Sequence, residues 1–172
     1  MKIVIVFMAI LILNISFLTY QGDMGRYLRA QNTVKAITEE CGAGAALFFQ
    51  TPKFAEGYLV AETNEAQKYI AYILSSSQPF LALANKREVH CEAIFFDDSL
   101  QSKTYMNGSL IRIIPFTFPH NYLDDQGHEI TIKEPSVIVS ITLNTQDFFR
   151  LPFLSVTEIS RSAMYELKSK NN

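Results

Sequence analysis

The chain has 172 residues and a net charge of −2, its 15 Lys and Arg offset by 17 Asp and Glu, so it carries no basic field with which to hold nucleic acid. Thirteen Phe and eight Tyr without a Trp supply large apolar side chains suited to a β-rich core. Once an apolar N-terminal run is set aside, about 150 residues remain, enough for one domain around one core.

That run comes first. Between Ile3 and Leu18 only Asn14 and Ser16 are polar, and with Thr19 and Tyr20 the stretch reaches roughly 27 Å as a helix, long enough to span a bilayer. Lys2 before an apolar segment also resembles a signal peptide, but no small-x-small pair closes the run, so residues 1–20 read as an uncleaved transmembrane anchor. Lys2 and the α-amine stand against Arg26, Arg29 and Lys35 beyond it, and charge alone does not set the orientation. A short tail before a long domain points to a single-pass protein of the cell membrane, with residues 21–172 as one extracytoplasmic domain.

Beyond the anchor, Met24, Leu28, Val34, Ile37, Cys41, Ala45 and Phe48 recur at threes and fours, skipping Gln31. This is the stripe of an amphipathic helix continuing the anchor, with possible kinks at Gly22 and Gly25 or at Gly42 and Gly44 and an end at Thr51-Pro52. Asp23 and Arg26, at i and i+3, can pair along the helix or across subunits, the local pair being the simpler reading. Residues 53–61 supply a short strand, and residues 63–75 a second helix with Thr63 as N-cap and Ala66, Ile70, Ile73 and Leu74 on one face.

From Glu88 the period changes to two. Val89, Cys91, Ala93 and Phe95 alternate with Glu88, His90, Glu92 and Ile94, the pattern of a half-buried strand. Asp97-Asp98 turns the chain, and residues 103–106 and 109–114 flank Asn107-Gly108, the dipeptide of a type I′ hairpin. Pro115 and Pro119 argue against a following central strand. Asp124-Asp125-Gln126-Gly127 is a further turn into a strand over 129–133, and residues 136–143 place Val137, Val139, Ile141 and Leu143 on one face. Residues 156–167 fit a helix through Val156, Ile159, Ala163 and Leu167, or a strand through alternate positions from Thr157.

The expected architecture is α+β, a long anchor helix laid on a small antiparallel sheet with one further helix. Val34, Ile37, Cys41, Ala45 and Phe48 should face Val89, Ala93, Phe95, Val139 and Ile141, because a small sheet needs a helix to cover one side. Cys41 and Cys91 are either a disulfide of an oxidising compartment or two buried small hydrophobes.

Asp23-Met24-Gly25-Arg26-Tyr27-Leu28 after an apolar helix, then Ala30-Gln31 and the small-residue run 42–47, resembles the TadE/TadG-like pilin family of the tight-adherence (Flp) pilus system. At the other end, Val137–Ile141, Phe148–Phe153 and Ile159–Ala163 resemble that family's closing strand, aromatic loop and small-residue strand. The resemblance implies that Asp23, Gly25, Arg26 and Tyr27 form a family motif and that residues 156–167 are a strand. It also implies a helix-anchored minor pilin-like or pseudopilin subunit that meets its own kind, other pilin-like subunits and an assembly platform in the membrane. The Gly and Glu of a pilin processing site are not found before Gln21, so the expected chain is either truncated at its start or inserted without processing.

No catalytic, metal or cofactor constellation emerges from the residues. His90, His120 and His128 have no activated nucleophile beside them, and Cys91 and His90 point to opposite faces of a strand. Residues 42–47 lack the lysine of a phosphate loop. Asp124, Asp125 and His128 do not reproduce a calcium loop, and Asn14 can bond a second helix or its own backbone. The expectation is a structural subunit and not an enzyme; the alternative is a signal-anchored extracytoplasmic binding module that does not assemble.

Overall fold

A computed structural model describes residues 2–81, 88–123, 127, 129–144, 148–150 and 154–167. The expected turn at Asp124-Asp125 and the side chain of His128 lie outside these residues. The chain is α+β, and it begins with α1, Lys2–Ala45, a helix of 44 residues and so about 66 Å long. Its first half is exposed from Ile3 to Leu18 except at Ser16, which is half-buried. Its second half buries Asp23, Ala30, Val34, Ile37, Thr38, Cys41, Gly42, Gly44 and Ala45.

The inward positions follow a run of threes and fours from Tyr20 through Asp23, Tyr27, Ala30, Val34, Ile37, Cys41 and Gly44. Leu28, expected on the stripe, is 47% exposed, and Tyr27 takes its place with Gln31 donating to its hydroxyl. The aromatic ring at 27 buries more surface than the aliphatic side chain at 28, which settles the phase of the helix. α1 runs unbroken through Gly22 and Gly25, and it ends at Ala45, short of Phe48.

Thr51-Pro52 begins a helix instead of ending one. Pro52 lies in the first turn of α2, Thr51–Ala55, where its missing N–H has no intrahelical role. The strand expected over 53–61 is accordingly reduced to one bridge, Phe49 opposite Ala61, flanked by Gln50 N donating to Val60 O and Glu62 N to Phe48 O. α3, Thr63–Leu81, runs past the expected end at Ser75. The Ser75 and Ser76 hydroxyls donate to the carbonyls of Tyr72 and Ile73, so the serines join the helix they were expected to stop. Glu62 O receives the first bond of that helix, from Ala66 N, and the Thr63 hydroxyl accepts from Tyr105 Oη at 2.8 Å instead of capping.

Five antiparallel strands form the main sheet in the order β3-β2-β1-β6-β7, with β1 Glu88–Phe96, β2 Gln101–Met106, β3 Ser109–Pro115, β6 Ser136–Asn144 and β7 Glu158–Glu166. At its centre Ala93 faces Val139, Phe95 faces Val137 and Cys91 faces Ile141. These side chains and those of Val34, Ile37, Cys41 and Ala45 belong to one buried cluster, with Phe48 and Val89 packed at its margin. Asn107 and Gly108 turn β2 into β3 with φ of 49° and 81°, as a type I′ turn requires. Within residues 156–167 the chain forms the strand β7, which takes the open edge of β6 along nine paired residues.

The outer face of the sheet is not left to water at the Phe96 end. A two-stranded ribbon of β4, His120–Leu123, and β5, Glu129–Ile132, covers Ile94, Phe96 and Ile138 together with Phe116 and Ile132. Ile94, expected to face solvent with Glu92, is therefore buried. Asp97 and Asp98 do more than turn the chain: Asp97 Oδ2 accepts Ala61 N at 3.1 Å and Asp98 Oδ2 accepts Leu59 N at 2.6 Å. They tie the segment before α3 to the end of β1.

α1 lies against α3 on one side and against β6 and β7 on the other. Two of its glycines permit this closeness. A Cβ on Gly42 would stand 2.9 Å from the Tyr165 ring, and one on Gly44 would stand 2.0 Å from the Tyr69 ring.

Candidate functional site: the anchor helix and its brace

Three residues from the far end of the chain return to α1 where it leaves the apolar run. Phe149 stacks on Tyr20 with centroids 5.9 Å apart, and Phe148 meets Tyr27 edge-on at 5.4 Å. Between these contacts Asp23 is fully buried and its carboxylate accepts three kinds of donor from Arg150. The Nη2 bond to Oδ1 is 2.8 Å, the Nε bond to Oδ1 is 3.0 Å and the backbone N bond to Oδ2 is 3.1 Å. Arg26, the expected partner, stands at 3.9 Å.

Arg150 is thus the residue that answers Asp23, and nothing in the sequence around Asp23 points to it across 127 positions. Its hydrogen bonds hold the Asp23 carboxyl below the usual carboxylate range against the opposing effect of burial, and Asp23 raises the Arg150 guanidinium in return. A fork-shaped donor set is suited to a carboxylate that cannot reach water. Of the other motif residues, Tyr27 packs on the returning loop, Arg26 is exposed, and Gly25 has open space where a Cβ would be. Gly22 is equally open, so among the described residues no neighbouring element requires the two glycines that flank Asp23.

Cys41 and Cys91 are free thiols, both buried, and no disulfide joins them. Burial pushes each up to about 12; Cys91 adds to the effect on Cys41, and Glu92 to that on Cys91. They act as small apolar fillers between α1 and the sheet, protonated and unreactive. Asn14 bonds its own helix, Nδ2 to Ile10 O at 2.8 Å. Among the described residues no group of three or more His, Cys, Asp or Glu is gathered where it could hold a metal.

Among the described residues two apolar surfaces stand uncovered. One is the first half of α1, a helix long and apolar enough to cross a membrane and equally compatible with a signal sequence. The other is β3, the sheet's edge strand, on which Leu110, Ile111, Ile113 and Ile114 are all exposed. Comparisons of the chain with protein-family models, with curated proteins and with solved structures give no match.

Proposed function

We propose that the chain is a structural subunit, anchored by the first half of α1 as a single-pass membrane protein with its body outside the cytoplasm. In this reading it is a minor pilin-like or pseudopilin component of a tight-adherence (Flp) type pilus or a related secretion apparatus, and it has no enzymatic role. The observation that carries the reading is the division of one unbroken helix into an exposed apolar half and a half that forms the spine of an α+β body. Such a helix can leave the bilayer only by burying its apolar half among similar helices. The exposed apolar edge at β3 supports the same reading, because a long uncovered edge invites pairing with another chain.

Asn14 favours the second reading, a signal-anchored binding module that does not assemble. Its Nδ2 donates to Ile10 O within its own helix, so one of its two N–H donors is spent inside the helix and is not offered to a neighbouring one. Single cysteines placed at Phe7 and Leu11 on one helix face and at Ala9 and Ile12 on the opposite one, in the cells that make the protein, distinguish the two, since the native thiols are buried. Crosslinked ladders confined to one helix face support assembly. Monomers at every position, with the protein in the membrane, refute it.

A further inference from the structure

Between α3 and the turn that joins β2 to β3 lies a cleft of about 320 Å³ whose walls include Gln67, Ile70, Ala71, Leu74, Cys91 and Asn107. Most of that lining is apolar, and among the described residues no charged one contributes to it. Gln67 is only 9% exposed, and its Nε2 has no hydrogen-bond partner among the described residues. A buried amide with no protein partner gains from an acceptor brought to it. Gln67 is part of the cleft wall, and the last torsion of its side chain is broad and two-fold, so its carboxamide can reorient there at little cost.

The opposite rim is fixed by the backbone. Asn107 Oδ1 accepts Cys91 N at 2.9 Å and Asn107 N donates to Cys91 O at 2.8 Å, which holds the Asn107 carboxamide in place and leaves its amino group as a second donor. The Cys91 thiol, kept protonated by burial, forms a soft neutral wall and is no nucleophile.

We infer that this cleft binds a small neutral molecule that joins an apolar body to one hydrogen-bond acceptor, the acceptor being held by the Gln67 carboxamide. Size follows from comparison: a cavity of about 150 Å³ takes up benzene, so one about twice as large takes about a dozen non-hydrogen atoms. Neutrality follows from the lining, since an ion would enter an apolar cleft without a counter-charge. The site is independent of the filament reading, because none of its residues lies on α1 or β3.

The test uses the full chain in lipid nanodiscs, isotope-labelled and titrated with 4-phenylbutanamide, a neutral amide of about the required size. Saturable changes are expected at the Gln67 side-chain amide and at the backbone amides of Ala71, Cys91 and Gly108. The anion 4-phenylbutanoate, of equal size, should bind at least about ten-fold more weakly at neutral pH. Gln67→Met, which keeps the length and removes the amide, should weaken binding of the neutral probe by about 3- to 10-fold. Ala71→Trp, at an exposed helix position, should block the cleft without disturbing the fold. The inference is overturned if no saturable change occurs up to about 10 mM. It is overturned equally if Gln67→Met binds as well as the parent, if the anion binds as well as the amide, or if the changes map to the apolar half of α1.

Discussion

Gly44→Ala should destabilise the protein, and the same substitution should stabilise it once Tyr69 is removed. The added Cβ falls 2.0 Å from Tyr69 Cε1, 2.5 Å from Cζ and 2.8 Å from Cδ1, whereas ordinary carbon contacts lie at about 3.5–4.0 Å. The ring must therefore retreat by roughly 1.5 Å or more, and in doing so it leaves both α1 and Phe48, whose ring centroid is 5.8 Å away. Exposing about 60–80 Å² of aromatic surface at about 25 cal/mol per Å² costs about 1.5–2 kcal/mol. Against this, replacing a helical Gly by Ala gains about 0.8–1 kcal/mol in propensity, leaving a net loss of about 0.5–1 kcal/mol. In the Tyr69→Ala background the clash is gone and the gain of about 0.8–1 kcal/mol stands alone. Urea unfolding of the four chains, followed by circular dichroism, closes the cycle with a coupling of about 1.5–2 kcal/mol. If Gly44→Ala stabilised both backgrounds alike, α3 would not approach α1 through Gly44, and the packing described for this pair of helices would be wrong.

Ile37→Asp should unfold the body, since a carboxylate without a partner replaces a core side chain that is 6% exposed, at a cost of about 4 kcal/mol or more out of the roughly 5–15 that holds a typical domain. A protease-resistant variant would show the helix standing clear of the sheet. Asp23 is depressed in the folded chain, so its contribution is complete above the ordinary value of 3.8 and is lost as the pH falls below 3.8 through the depressed value; Asp23→Asn should flatten that acid limb of the melting temperature, and an unchanged limb would remove Arg150 from the account. Both thiols are raised, so their contribution is complete below 9.0 and declines as the pH climbs from there toward about 12. At pH 8 iodoacetamide should modify neither thiol before urea is added, a result checked by mass spectrometry; rapid labelling of the native chain would contradict their burial.

What the sequence made legible was whatever repeats locally. The alternation from Val89 to Phe95 and from Val137 to Leu143, and the Asn-Gly pair at 107–108, each state their structure within a few residues, because period and turn chemistry are local properties. The errors lie where a distant partner decides. Ile94 was expected to face water, since nothing near it announces that β4 and β5 fold over that face. Leu28 lost its place to Tyr27, whose value depends on Phe148 and Phe149, more than a hundred residues away. Pro52 and the serines at 75 and 76 read locally as stop signals, though the first begins a helix and the others bond into one. Arg150 was the largest omission: a single charge on a loop has no periodicity, and its role exists only once the loop has returned to Asp23. The resemblance did single out residues 148–153, but as an aromatic loop and not as the partner of the motif at 23–27.

The contacts of that loop fall on both sides of two glycines. Phe149 grips Tyr20 below Gly22, Phe148 grips Tyr27 above Gly25, and Arg150 clasps the buried carboxylate between them. Without side chains of their own, Gly22 and Gly25 form the softest length of the rod, and the loop is set across it as a splint is set across a joint. While the splint holds, each residue of α1 adds a fixed rise of about 1.5 Å and about a hundred degrees of rotation, so the body has a compass bearing relative to the anchor as well as a height. One alanine inserted at Gly22 would turn the sheet's exposed edge by over a quarter circle. Release of Asp23 would instead leave the bearing undefined, a swivel in place of a strut, with the anchor and the body each intact.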